Sequence, residues 1–430
     1  MSALQAEPPS TDALLARLDE MLADLAAAVA DNTLASDAVR IDRIALLEKL
    51  RAATAALQAA ETVRFAQSQV AEQLAADVHP TAVGRGIAEQ IGLACRISPV
   101  VAARRLNTAR ALCLELPDTY SQLAAGELSE RVAETVVAET RHLDPDTRRQ
   151  VDAQLQGAGI SRMGFKAAVG CVRKTAYEAD RQGYVQRGRT ERHHRRVGVR
   201  PAPDTMAVLT GYLPVEQGIA CYAALQRHAD GIVAIGDIRT RGQIMADTLV
   251  ERLTGQAAAG DVNVELQLLM PLDALIKTGD PSAAVIPGYG PLPHELAWEI
   301  LTTSRGRKWW RRLFTGPSST HSSGPIVGGD PARRRFDGWL AKLIKLRDQT
   351  CRDPYCDAPI RHIDHITRHS DGGATTFENG RGECARGNLV REMPGWRIKL
   401  IDCGFHGRPH KIIISTPTGH HYLSRAPDTP

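Results

Sequence analysis

The chain has 430 residues, a formal net charge of +4, and 43% hydrophobic and 24% charged residues. That length admits two or three domains, and the balance is that of an ordinary globular protein. It excludes a disordered or fibrous chain, and no run of about 18 apolar residues is present to cross a membrane as a helix.

Residues 1–35 are polar and Ala-rich and read as a frayed or loosely packed helix. They do not read as a secretory signal, because Asp19, Glu20 and Asp24 interrupt the apolar stretch and no basic cluster precedes it. Over residues 37–76, Ile41, Ile44, Leu47, Leu50 and Leu57 recur at three- and four-residue spacing for most of the run, the mark of a long amphipathic helix. Such a helix could make a homodimer through a hairpin or coiled coil; packing within its own domain is the preferred reading. Ser98-Pro99 supplies an N-cap and a first helical residue for a helix over 99–115 that carries Arg104, Arg105 and Arg110. Leu116-Pro117 ends it. A turn over 126–129 precedes a helix over 130–140, and Asp144-Pro145 starts another that ends near Gly157. Short turns between helices, with arginines on one, also suit a helix-turn-helix, but most such pairs simply pack on their neighbours.

Residues 181–200 are dense in Arg and His and read as a solvated linker or helix end, with phosphate contact as the alternative. Short strands over 197–199 and 205–212, helices over 215–228 and 239–253, and strand-like alternation over 263–270 make the middle of the chain mixed α/β. Two basic segments follow. One holds Arg307, Lys308, Arg311 and Arg312, and the other is Arg333, Arg334 and Arg335. Concentrated positive charge points to a polyanion such as DNA. Trp309 and Trp310 could stack on bases, though a tryptophan pair more often anchors into protein. Residues 316–331, rich in Gly, Ser and Pro, read as a linker. The expected order is therefore a loosely ordered N-terminus (1–35), a helix-rich domain with short strands (36–315), a linker (316–332), a small site-bearing domain (333–400) and a C-terminal extension (401–430).

The chemistry concentrates in residues 351–388. Cys95, Cys113, Cys171 and Cys221 are scattered in apolar segments and read as buried thiols, whereas Cys351, Cys356 and Cys384 are clustered. Eight cysteines in a chain this long are not a secreted disulfide framework, so a cytoplasmic protein with a local metal site fits best. Four residues separate Cys351 from Cys356, a spacing compatible with a zinc knuckle. Structural zinc takes four ligands, yet position 387, where a fourth Cys is expected, is Gly. Cys403, His406 or His410 could supply the fourth ligand; a knuckle held by apolar packing without zinc is the other reading.

Between the halves of the knuckle, Asp364-His365 ends a strand-like segment and Gly372-Gly373 permits a tight loop. A carboxylate suits Mg²⁺ or Mn²⁺, and an imidazole beside it can take a proton from water. Asn379 is placed to brace the loop or orient the imidazole, and Asn388 to open a helix and complete the metal shell. These residues suggest a strand–loop–strand–helix that presents one cation to a phosphodiester.

This segment resembles an HNH endonuclease finger, the ββα-metal fold. The approach RDQTCRDPYCDAPIRHIDH and the spacing from Gly-Gly to Asn, together with SPVVAARRLNTARAL, LAAGELSE and GYGPLP, resemble the actinobacterial thirteen-E-twelve repeat family of HNH-containing proteins. The resemblance implies an α+β chain with a mainly helical N-terminal domain, a mixed middle region and a C-terminal ββα-metal finger acting as a DNA endonuclease. It implies that His365 is the general base and Asn379 the middle signature residue. Asp364 and Asn388 would hold catalytic Mg²⁺ or Mn²⁺, and Cys351, Cys356 and Cys384 structural zinc. Arg391 stands where a Lys is common and would meet nucleic acid. A non-catalytic DNA-binding or regulatory protein with the same finger is the alternative.

Overall fold

The computed structural model describes residues 12–30, 35–258, 284–286, 290–303, 335–404 and 408–427. The expected strand over 263–270, the linker over 316–332 and the side chains of Arg307, Lys308, Arg311, Arg312, Arg333 and Arg334 lie outside them. The fold is α+β, with a mainly helical N-terminal region and small antiparallel sheets.

Helices α1 (Ala13–Ala30) and α2 (Asp37–Ala75) open the chain. Ser36 caps α2 by accepting from Val39 N. Packing within the domain holds only for the second part of α2, where Ala52, Ala56, Val63 and Ala66 are buried; Ile41, Ile44 and Leu47 are exposed. After α3 (Ile87–Cys95), Ser98 and Pro99 start α4 (Pro99–Glu115) at the expected position. Leu116-Pro117 does end α4, but it also begins α5 (Pro117–Ala124). The reason lies far along the chain. Asp152, on α7 (Pro145–Gly157), accepts from the backbone N–H of Asp118 at 2.7 Å and of Thr119 at 3.2 Å. It caps a helix that has no side-chain cap of its own. Burial raises the Asp152 carboxyl above the usual range, against these hydrogen bonds.

With α6 (Glu130–Thr140) and α8 (Phe165–Ala179), these helices close on Leu112, Leu116, Leu123, Val136, Val151, Leu155 and Val172. The basic run then forms α9 (Arg181–Glu191) and a short 3₁₀ turn, with no buried residue. It leads into the hairpin β1 (Arg196–Pro201) and β2 (Ala207–Tyr212). Helices α10 (Val215–Ala234) and α11 (Arg241–Thr254) follow; Thr240 and Gln243 form a capping box and Gly255 ends α11 in the left-handed region. Cys221, expected to be buried, is exposed on α10. The hairpin β3 (Ala284–Ile286) and β4 (Gly290–Leu292) and helix α12 (His294–Thr303) end this part.

The C-terminal unit begins with α13 (Gly338–Asp348), whose Leu340, Leu343 and Ile344 pack on Phe377 and Ile363. Strands β5 (His362–His365) and β6 (Gly380–Glu383) pair antiparallel, His362 opposite Glu383 and His365 opposite Gly380. The six-residue helix α14 (Ala385–Val390) follows at once. A three-stranded sheet, β7 (Arg397–Asp402), β8 (Lys411–Ser415) and β9 (His421–Arg425), completes the unit. The expected boundary at residue 400 therefore falls inside β7, and residues 401–404 and 408–427 belong to the same packed unit. Buried charges tie it together. Arg347 donates to Phe377 O and Gly380 O, Asp348 accepts from Gly382 N, and Arg352 donates to His410 O and Ser424 O.

The two parts meet at α3. Glu89, buried on that helix, pairs with Arg386 of α14, and Thr418 donates to Gln90 Oε1 at 2.9 Å. Gly86, with φ near +82°, sits directly under the Trp396 ring, where a β-carbon would lie 3.0 Å from Nε1.

Candidate metal centre and Asp–His site

The three clustered cysteines converge. Cys351 follows α13, and its N–H donates to Ala358 O at 2.9 Å across the knuckle loop. Cys356 closes the loop by donating to Asp353 O at 3.0 Å. Cys384 is the N-cap of α14 and its Sγ accepts from Gly387 N at 3.2 Å. All three thiols are buried, and their sulfurs lie within 4.8 Å of one another, with Cys356 and Cys384 at 4.0 Å. The Cys384 thiol is held far below its ordinary range by the Cys351 and Cys356 thiols that point at it, helped by the N–H groups of Gly387 and Arg386. The Cys351 thiol is pushed up by the same interactions and by burial. A thiolate is the form that binds metal, and a buried set of converging sulfurs is the donor chemistry of a soft or borderline cation. Among the described residues this is the group of three or more His, Cys, Asp or Glu side chains that could hold a metal ion.

The expected fourth ligands do not join this group. Cys403 stands outside it, and His410 turns its Nε2 to Glu378 O at 2.8 Å. Burial, with the Arg347 charge, pulls the His410 imidazole down to about 4. His406 lies outside the described residues. Gly387 packs against Asp353: a β-carbon there would overlap Asp353 Oδ2 and lie 3.7 Å from Cys384 Sγ.

At the other end of the short ladder, the Asp–His pair is built into a closed network. Asp364 Oδ1 accepts from His365 N at 2.8 Å, and Oδ2 pairs with the Arg391 guanidinium. Arg391 also donates to His365 O and, at 2.9 Å, to Ile366 O. Arg391 is only 7% exposed. Its expected contact with nucleic acid is therefore corrected: the side chain faces inward, because two strand-end carbonyls and a carboxylate need its donors. Burial lowers the Arg391 guanidinium against the pull of Asp364. Arg335, the described member of the second basic segment, is exposed.

His365 is also 7% exposed. Its Nε2 lies 2.8 Å from Thr375 Oγ1, and its ring is tilted on Phe336 at 4.5 Å. Asn379 braces the loop as expected. Its Oδ1 accepts from Thr367 N at 2.8 Å, and its Nδ2 donates to Thr367 O at 3.0 Å and Ala374 O at 2.7 Å. The loop is tight at Gly373, where a β-carbon would overlap Thr367 O. Asn388 does not open its helix; Cys384 is the cap and Asn388 lies within α14. No hydrogen bond links its side chain to Asp364 or His365 among the described residues. Thr375 and Asp353 were not legible as partners in sequence, since neither belongs to a spaced motif of ligand types.

These observations define an α+β protein in which a helical domain carries a C-terminal unit with a cysteine cluster that could bind a metal. The sequence profile described as Domain of unknown function (DUF222) matches residues 44–297, more than half of the chain. The chain belongs to the DUF222 family. The matched part lies inside the helix-rich domain expected over 36–315 and ends before the cysteine cluster. An uncharacterized protein of Mycobacterium tuberculosis is 29% identical over 152 residues, which are 35% of this chain and 25% of that relative. The match thus spans about a quarter of the relative's length. No solved structure matches the chain. Among the described residues, no helix is long and apolar enough to cross a membrane.

Proposed function

We propose that the chain is a metal-dependent DNA endonuclease of the HNH type, similar to the thirteen-E-twelve repeat family and acting in the cytoplasm. The observation that carries this reading is the order β5–loop–β6–α14, with Asp364-His365 at the strand end and Asn379 bracing the loop that follows. In this reading the cysteine trio holds zinc and pins the loop before β5 to the start of α14.

His365 takes a proton from the attacking water, and Thr375 sets the plane of its ring. Asn379 keeps the loop closed over the imidazole. Asp364 and Asn388 would hold Mg²⁺ or Mn²⁺, which when bound stabilises the charge that develops on the phosphodiester. The chemistry of Asp364 suits a hard cation, although Arg391 must release its carboxylate first. The basic side chains Arg307, Lys308, Arg311, Arg312, Arg333, Arg334 and Arg335 would neutralise DNA phosphates. The exposed Ile41, Ile44 and Leu47 of α2 would be the seam of a homodimer.

The test is DNA cleavage by the full-length protein with Mg²⁺ or Mn²⁺. His365→Ala is expected to lower the rate by about 10²- to 10⁴-fold. Wild-type cleavage by that variant, with contaminants excluded, sinks the assignment. Two observations favour a second reading, a catalytically impaired DNA-binding or regulatory protein. Arg391 already neutralises Asp364, and His365 is nearly closed to solvent. DNA binding without cleavage under either ion selects that reading.

A further inference from the structure

We propose that Asp353 is the fourth ligand of the zinc held by Cys351, Cys356 and Cys384, and that Gly387 is the residue that makes room for it. The inference rests on the zinc reading above and adds a ligand that the cysteine pattern does not contain. Three observations converge on it.

The first is position. Asp353 lies inside the loop between Cys351 and Cys356, and its own carbonyl accepts the Cys356 N–H at 3.0 Å, so the loop that presents two thiols presents this carboxylate as well. The second is the cradle at Gly387. The side chain of any other residue there would start 3.7 Å from Cys384 Sγ, where a fourth ligand belongs, and would run into Asp353 Oδ2. The carboxylate occupies the space that the expected Cys would fill. Gly387 thus makes room for the carboxylate. The third is the state of the carboxylate. Oδ1 pairs with Arg381 Nη1 at 3.1 Å, while Oδ2 accepts no hydrogen bond among the described residues. Arg381 is itself buried and paired with Glu383.

That arrangement is what a ligating carboxylate needs: one oxygen anchored by a neighbour, the other available to the cation. Asp oxygen is an accepted zinc ligand beside Cys sulfur. The three sulfurs lie within 4.8 Å of one another and the carboxylate stands outside that group, so it flanks the trio and must turn toward the sulfurs to close the tetrahedron. Its side chain is 22% exposed and, with Gly387, lines a cleft of about 30 Å³.

The experiment is zinc affinity of the full-length chain by chelator competition, with cobalt(II) absorption as an independent reporter of the donor set. Wild type is expected to bind one zinc. Asp353→Asn and Asp353→Ala are expected to bind it at least about tenfold more weakly, since even an outer-shell partner is worth that much. Gly387→Cys alone is expected to gain nothing, because its side chain meets Asp353. The double variant Asp353→Ala with Gly387→Cys is expected to recover affinity and to add thiolate-to-cobalt absorption. If wild type binds zinc and both Asp353 variants bind it equally well, the fourth-ligand assignment falls and the zinc reading survives. If wild type binds no zinc, both fall. Loss of folding in both Asp353 variants without recovery in the double variant also overturns the assignment.

Discussion

The two ends of the β5–β6 ladder are prepared in different ways. At the end where His362 faces Glu383, three buried thiols converge, and the contacts of Cys384 push its thiol well below the ordinary range. At the end where His365 faces Gly380, the carboxylate is already answered by a guanidinium and the imidazole by a hydroxyl. The first is a set of donors that could hold a cation; the second is a satisfied network of protein groups. The absence of a fourth cysteine therefore bears less on the proposed nuclease reading than the pairing of Asp364 does. Burying unlike charges together costs little only when each is paired, and Arg391 meets that condition by spending its donors on Asp364 and two carbonyls.

The sharpest way to break this comparison is to remove a thiolate. Cys384→Ser is expected to abolish metal binding and to destabilise the C-terminal unit by several kcal/mol, on the order of a large fraction of a structural metal's contribution. Metal analysis and thermal unfolding check it. Arg391→Gln is the matching variant at the other end. It leaves Asp364 and the carbonyls of His365 and Ile366 without their donor, and is expected to cost about 3 kcal/mol in denaturant unfolding. Metal content at the cysteines is expected to stay unchanged, and its loss would mean that the two ends are not separate.

A pH titration gives a smaller effect. His410 is neutral in the folded chain down to about 4, whereas the unfolded chain takes up its proton near the ordinary 6.5. Between those values the unfolded state binds more protons, so stability falls as the pH drops through this window. The loss is about 2 kcal/mol by pH 5. His410→Gln is expected to flatten that dependence, as read by the unfolding midpoint across the range. Smallest is Asp152→Ala in the helical domain. It removes the cap of α5 and is expected to cost about 1–2 kcal/mol in denaturant unfolding while leaving metal content untouched.

What was legible in the sequence follows the range of the interactions. Helices capped by their own neighbours, Ser98-Pro99 for α4 and Asp144-Pro145 for α7, are visible at their starts because the signal is local. Helix α5 is not, because its cap, Asp152, comes from 33 or 34 residues away. The cysteines, Asp364, His365 and Asn379 are visible because spacing and residue type carry chemistry. The inward turn of Arg391 is not, since an arginine 27 residues after Asp364 looks like any surface cation until α14 folds back on β5. Asp353 is hidden for the same reason: its relation to Gly387 exists only after the knuckle loop and α14 meet.

The cysteine cluster is proposed to be a working metal centre. Zinc per chain in the purified full-length protein, compared with Cys384→Ser, tests this most directly. About one equivalent of zinc is expected in the wild type, the stoichiometry of a structural site, and none in the variant. A wild-type value near zero in protein that is folded by near-ultraviolet circular dichroism would contradict it.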